Sequence, residues 1–144
     1  MIGIVIVAHG GLAREYKAAV EHVVGAQETL RAISIEVADD RAAKEQEICD
    51  AADAVDRGDG VVVVTDMFGG SPSNLSMRAC RAENRKVIYG ANLPLLVKLA
   101  KCRRKPFVQA VEAALAAGRR YIDSCNGASE GEVSRGDKNV CDRE

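Results

Sequence analysis

Met1-Ile2-Gly3-Ile4-Val5-Ile6-Val7-Ala8-His9-Gly10-Gly11 opens the chain and decides its fold class. A strand buried on both faces reads as a continuous Val/Ile run, the pattern of a parallel sheet covered on both sides. Sheets of that kind gather ligands outside the carboxyl ends of their strands. His9 is delivered to that rim with two glycines behind it, a placement suited to chemistry. The chain's other histidine is His22, so the choice of a reactive imidazole is narrow.

Outward from this strand the elements alternate. Leu12, Tyr16, Ala19, Val20 and Val23 form one apolar stripe, predicting a helix over 12–24 that Gly25 ends. Residues 33–37 alternate as a strand nearer an edge. A helix is expected over 42–55, carried by Ile48, Ala51, Ala52 and Val55, with Gly58 and Gly60 breaking the pattern. The second fully apolar strand is 60–66, Gly60-Val-Val-Val-Val-Thr-Asp66. After Ser71-Pro72 a helix is expected to about residue 83, then a strand over 86–90. Two helices follow over 95–103 and 107–117, separated by Pro106, and 119–123 reads as a short last strand. Such alternation implies a doubly wound three-layer α/β sandwich with a mainly parallel sheet. From residue 125 the chain turns polar and loses any apolar period. This divides it into a domain over 1–124 and a tail over 125–144 that reads as disordered.

The composition excludes several classes. A formal net charge of −1 argues against a nucleic-acid or membrane-surface binder. The basic cluster Lys101-Cys102-Arg103-Arg104-Lys105 is expected on a helix end, complementing the helix dipole, with a contact to an acidic partner as the alternative. No stretch approaches the roughly 20 apolar residues of a membrane span, and the apolar start lacks a basic leader and a cleavage site. The five cysteines are widely spaced without a CxxC pair. They read as reduced, buried thiols of a cytoplasmic protein, with no zinc site. No metal or cofactor is expected.

Asp66 ends the second apolar strand as His9 ends the first. If the two strands are neighbours, their tips lie about 5 Å apart. A carboxylate accepting an imidazole N–H fixes the tautomer, aims the other nitrogen's lone pair and stabilises the cation formed when that lone pair attacks. Histidine so held is a covalent nucleophile. The pattern alone fits a second account equally well, in which His9 caps the first helix and Asp66 a turn. Gly69-Gly70-Ser71-Pro72 adds weight to the chemical reading: Ser71 is expected as N-cap and Pro72 at the first helical position. Gly69 and Gly70, like Gly10 and Gly11, allow close backbone approach to a ligand. Together they predict an anion site on the rim that carries His9. There is no GxxxxGK[ST], GxGxxG or GxSxG, which argues against a nucleotide donor and an esterase. His22, without such a cradle, reads as a helix-face residue.

The three pieces Ile4-Val-Ile-Val-Ala-His9-Gly10, Asp66-Met-Phe-Gly-Gly-Ser-Pro-Ser-Asn74 and Gly90-Ala-Asn-Leu-Pro-Leu-Leu96, with Gly118-Arg119 after them, resemble the IIA component of the mannose-family sugar phosphotransferase system. The resemblance spans 1 to about 124. It implies four parallel strands plus one antiparallel edge strand, often exchanged across a homodimer. It also implies that His9 takes a phosphoryl group from the phosphocarrier HPr and passes it to a IIB component, touching a membrane only through a transporter complex. By position Asp66 matches the residue that orients the histidine, and Ser71, with Gly10, Gly69 and Gly70, the phosphate site. Met67 and Phe68 fall where the family often has an aromatic pair or Thr-Trp, at the pocket rim, and Asn92 and Pro94 in the loop that closes over it. A stand-alone regulatory module, its phosphorylation read by a partner, is the alternative; the phosphocarrier subunit of dihydroxyacetone kinase is a third reading, which the Asp66–Pro72 run disfavours.

Overall fold

The computed structural model describes residues 1–67 and 69–127. Its elements are β1 (Gly3–His9), α1 (Leu12–Val24), β2 (Leu30–Ile35), α2 (Arg41–Val55), β3 (Val61–Thr65), α3 (Ser71–Ser76), a 3-10 turn (Arg78–Cys80), β4 (Arg85–Tyr89), α4 (Leu93–Lys101) and α5 (Phe107–Arg120). The four described strands are all parallel and lie in the order β2-β1-β3-β4.

The two Val/Ile runs are the two central strands, and their alternation divides the core into two halves. Ile4, Ile6 and Ala8 of β1 and Val62 and Val64 of β3 pack on one face with Ala13 and Val20 of α1, Leu95, Leu96 and Leu99 of α4, and Ala110 and Ala114 of α5. Val5 and Val7, with Val61 and Val63, pack on the other face against Ile48, Ala52 and Val55 of α2 and Leu75 of α3. Both faces of β1 and β3 are thereby sealed, which is why neither strand tolerates a polar residue before its tip.

From β2 the chain crosses under the sheet through α2 and re-enters on the far side of β1, as β3. The direction of winding reverses between β1 and β3, and the crevice at their carboxyl ends is where such folds bind ligands. Val7 pairs with Thr65 in the register, so His9 and Asp66 stand at one lip.

Three expectations are corrected. The helix after Ser71 ends at Ser76 and gives way to the 3-10 turn Arg78–Cys80; apolar Leu75 and Ala79 keep a helical period across that break. The antiparallel fifth strand is not formed by 119–123 among the described residues: Arg119 and Arg120 complete α5, and Tyr121 caps it. The Ala/Leu run 113–117 is strongly helix-forming and carries the helix through Gly118 into Arg119 and Arg120, the first two residues of the expected strand. The basic cluster does not act through the helix dipole alone, because Arg103 is buried. Of the tail, 128–144 lies outside the described residues.

Candidate functional site

His9 is the last residue of β1 and its side chain is 51% exposed, whereas that of Asp66 is 10% exposed. Nδ1 of His9 lies 2.8 Å from Oδ2 of Asp66. The backbone N–H of His9 donates to the same oxygen at 3.0 Å. One carboxylate oxygen thus fixes both the ring and the strand end that bears it. An ionised carboxylate only accepts, so neutral imidazole must carry its proton on Nδ1, leaving the Nε2 lone pair as the nucleophile. Burial pushes the Asp66 carboxyl up, but the hydrogen bonds from the His9 amide and ring outweigh it and leave the group below its ordinary value.

Of the glycines around the site, two take left-handed backbone in open space and one packs against the ring. Gly10 takes a φ of +55° and Gly69 one of +79°, a region most side chains avoid. A Cβ on Gly70 would lie 3.4 Å from Cε1 of His9 and 3.8 Å from Cβ of Met67, so Gly70 sits between the imidazole and the exposed Met67. The cap of α3 is Gly70, one residue earlier than expected; Ser71 takes the first helical position and Pro72 follows within the first turn. Ser71 is exposed at the start of the helix, one residue after the glycine that faces the imidazole.

Asn92 and Pro94 are placed differently. Asn92 accepts from the Leu95 N–H at 2.9 Å as the N-cap of α4 and donates to the Gly118 carbonyl at 3.0 Å. Pro94 lies in the first turn of α4, along a groove with Val23, Val97 and Lys98. No described contact brings either to the imidazole. Phe68 lies outside the described residues. His22 is in the last turn of α1, at the opposite end of that helix from the site.

One neighbour was missed. Tyr16, read only as part of the α1 core stripe, donates its hydroxyl to the Ala91 carbonyl at 3.1 Å. Burial, and then the Asp66 charge, push its phenol above the ordinary value. A tyrosine in an apolar stripe gives no sign of this, because the carbonyl it meets comes from a loop 75 residues away. Among the described residues no group of three His, Cys, Asp or Glu is arranged to hold a metal ion, and no helix is long and apolar enough to cross a membrane.

The model of the family described as "PTS system fructose IIA component" (EIIA-man) matches residues 3–116. The Escherichia coli (strain K12) protein YadI, named as a phosphotransferase enzyme IIA component, is 32% identical over 104 residues, which cover 72% of this chain and 71% of that protein. Among solved structures, the mannose/sorbose specific IIA subunit from Enterococcus faecalis superposes with a TM-score of 0.78 at 18% identity, covering 88% of this chain and 96% of the other. A sigma-54 interaction domain protein from Enterococcus faecalis shares the fold at a TM-score of 0.65 and 12% identity, covering 83% and 93%.

Proposed function

The chain belongs to the EIIA-man family of phosphotransferase-system IIA components, and from that premise we propose that His9 is its phosphoryl acceptor, charged by phospho-HPr and discharged to a IIB component. The observation that carries the reading is the 2.8 Å contact between Nδ1 and Asp66, with the imidazole half exposed. Nε2 attacks the phosphorus of the donor's phosphohistidine in line. The P–N bond to the donor ring breaks and its electron pair stays on that ring, while a new P–N bond forms at Nε2. The proton on Nδ1 stays in its hydrogen bond to Asp66, whose negative charge offsets the cation created on the ring. Transfer needs little beyond such alignment and charge stabilisation. Gly10, Gly69, Gly70 and the Ser71 hydroxyl are proposed to receive the phosphoryl oxygens, and Met67 to meet the docking proteins. We place the protein in the cytoplasm, where both partners would be met.

A homodimer is part of this proposal. β4 is the last strand in the sheet order, and a groove lined by Val87, Ile88, Leu115 and Ile122 runs beside it, as a strand from a second copy would require. The regulatory alternative has one support: a sigma-54 interaction domain protein carries this fold, so fold does not separate forwarding from signalling.

The test is incubation with phosphorylated HPr and mass spectrometry of the product. One added PO₃ on the His9 peptide, stable in alkali and lost in acid, is expected, and His9→Ala should abolish it. Labelling retained in that variant would refute the assignment. Adding purified IIB proteins then separates the two roles: discharge to one of them supports transport, and discharge to none supports regulation.

A further inference from the structure

The turn that packs against the imidazole is held by one exposed side chain. Gly69 takes left-handed backbone, with a φ of +79°, and a Cβ there would meet nothing within 4 Å. No wall of neighbouring side chains fixes this residue. Its carbonyl accepts a hydrogen bond from Nδ2 of Asn74 at 3.4 Å, among the described residues the one side-chain bond made to Gly69 or Gly70. Asn74 is exposed on α3, and its backbone N–H donates to the Gly70 carbonyl at 3.1 Å. A single residue thus holds both glycine carbonyls.

The peptide joining the two glycines is trans, so its carbonyl and its N–H point in opposite directions. Drawing the Gly69 oxygen toward Asn74 therefore sends the Gly70 N–H away from Asn74. Among the described residues that N–H has no acceptor. A Cβ on Gly70 would lie 3.4 Å from Cε1 of His9, the ring carbon bonded to Nε2. The Gly70 nitrogen is two bonds from that point, within reach of a phosphoryl group carried on Nε2. Were the peptide to turn over, a carbonyl oxygen would face the same negative charge and repel it. With open space around Gly69, the Asn74 amide is what opposes that rotation.

We propose that Asn74 is a positioning residue for phosphoryl transfer: its side-chain amide locks the Gly69–Gly70 peptide with the N–H presented to the phosphoryl oxygens on His9 and the carbonyl turned away. Asn74 touches neither the imidazole nor the phosphoryl group; it preorganises the donor that does. The inference rests on the reading of His9 as acceptor and of Gly70 as part of the phosphate site, and it adds no covalent step to them.

Asn74→Ala removes the amide and puts a better helix former in its place, so α3 should still form. The maximal rate of acceptance from phospho-HPr should fall about three- to tenfold, the factor one net hydrogen bond carries, with KM for phospho-HPr unchanged. In proton–nitrogen NMR spectra the Gly70 amide of the wild type should move downfield when His9 is phosphorylated, and in Asn74→Ala that displacement should shrink. A wild-type maximal rate in the variant overturns the proposal. A raised KM with the maximal rate kept does so too, because Asn74 would then serve docking alone. Should Asn74→Ala fail to fold, the wild-type spectra suffice: a Gly70 amide unmoved by phosphorylation overturns the proposal. A wild type that takes no label overturns the acceptor reading and this inference with it, whereas an Asn74→Ala labelled at the normal rate overturns this inference alone.

Discussion

At the scale of single residues the site is a contest between solvation and hydrogen bonding, and Asp66 shows which wins. Burial alone would raise its carboxyl above the ordinary 3.8; the amide and ring of His9 bring the net result below it. A carboxyl lowered on folding binds fewer protons in the native state than in the unfolded one. It therefore contributes stability that is fully present above 3.8 and is lost as pH falls through the lower, folded value. Asp66→Asn should accordingly be less stable than wild type near neutrality, with the gap closing in acid below about pH 4; urea midpoints across that range measure it. Kinetically the same change should slow phosphoryl acceptance by about tenfold or more, since an amide presents a donor as readily as an acceptor and no longer selects the Nδ1–H tautomer. Initial rates with phospho-HPr at neutral pH test this, and unchanged rates would take Asp66 out of the chemistry.

At the scale of elements, the sequence is most legible where burial is total. β1 and β3 are apolar through to their tips, so strands, sheet type and the positions of His9 and Asp66 could all be read from local pattern. Legibility fades where a residue's task is set by a distant neighbour. Asn92 looks like a rim residue in its motif, yet its side chain caps α4 and ties it to Gly118 of α5. Gly3 looks like a lapse in the first strand. In fact a Cβ there would come 2.4 Å from the Val55 carbonyl oxygen at the end of α2. Backbone cannot retreat as a side chain can, so Gly3→Ala should destabilise the fold by about 1–3 kcal/mol through overpacking. Asn92→Ala should cost about 1–2 kcal/mol for the lost cap. Chemical denaturation of each variant reads both; a neutral Gly3→Ala would mean that α2 is free to shift on the sheet.

At the scale of the molecule, the end opposite the site is closed by one arginine, and this was hidden in what reads as a basic surface cluster. Arg103 lies just beyond α4, is 3% exposed, and among the described residues donates its hydrogen bonds to neutral acceptors. Its Nε donates to the Ile2 carbonyl at 2.8 Å, Nη1 to Gln27 at 3.1 Å, and Nη2 to the carbonyl of Thr29 at 2.8 Å and to its hydroxyl. The Ile2 N–H returns a bond to the Arg103 carbonyl at 2.9 Å. One guanidinium thus joins the turn between α4 and α5 to the starts of β1 and β2, and sets where β1 begins and so where His9 ends. Burial pushes the Arg103 pKa down, the Glu28 charge opposing it and that of Arg104 adding to it, and the neutral acceptors lower the cost of keeping the guanidinium buried. Arg103→Met keeps the stem, leaves the Ile2 carbonyl without its Arg103 donor and leaves the Thr29 carbonyl only the Ile4 N–H, for a loss of about 1–3 kcal/mol. Arg103→Lys should recover less than half of it, because an ammonium on a flexible stem cannot span acceptors arranged for a planar fork. Thermal and urea unfolding of the two variants decide the matter, and full rescue by lysine would show that charge, not the fork, closes this end.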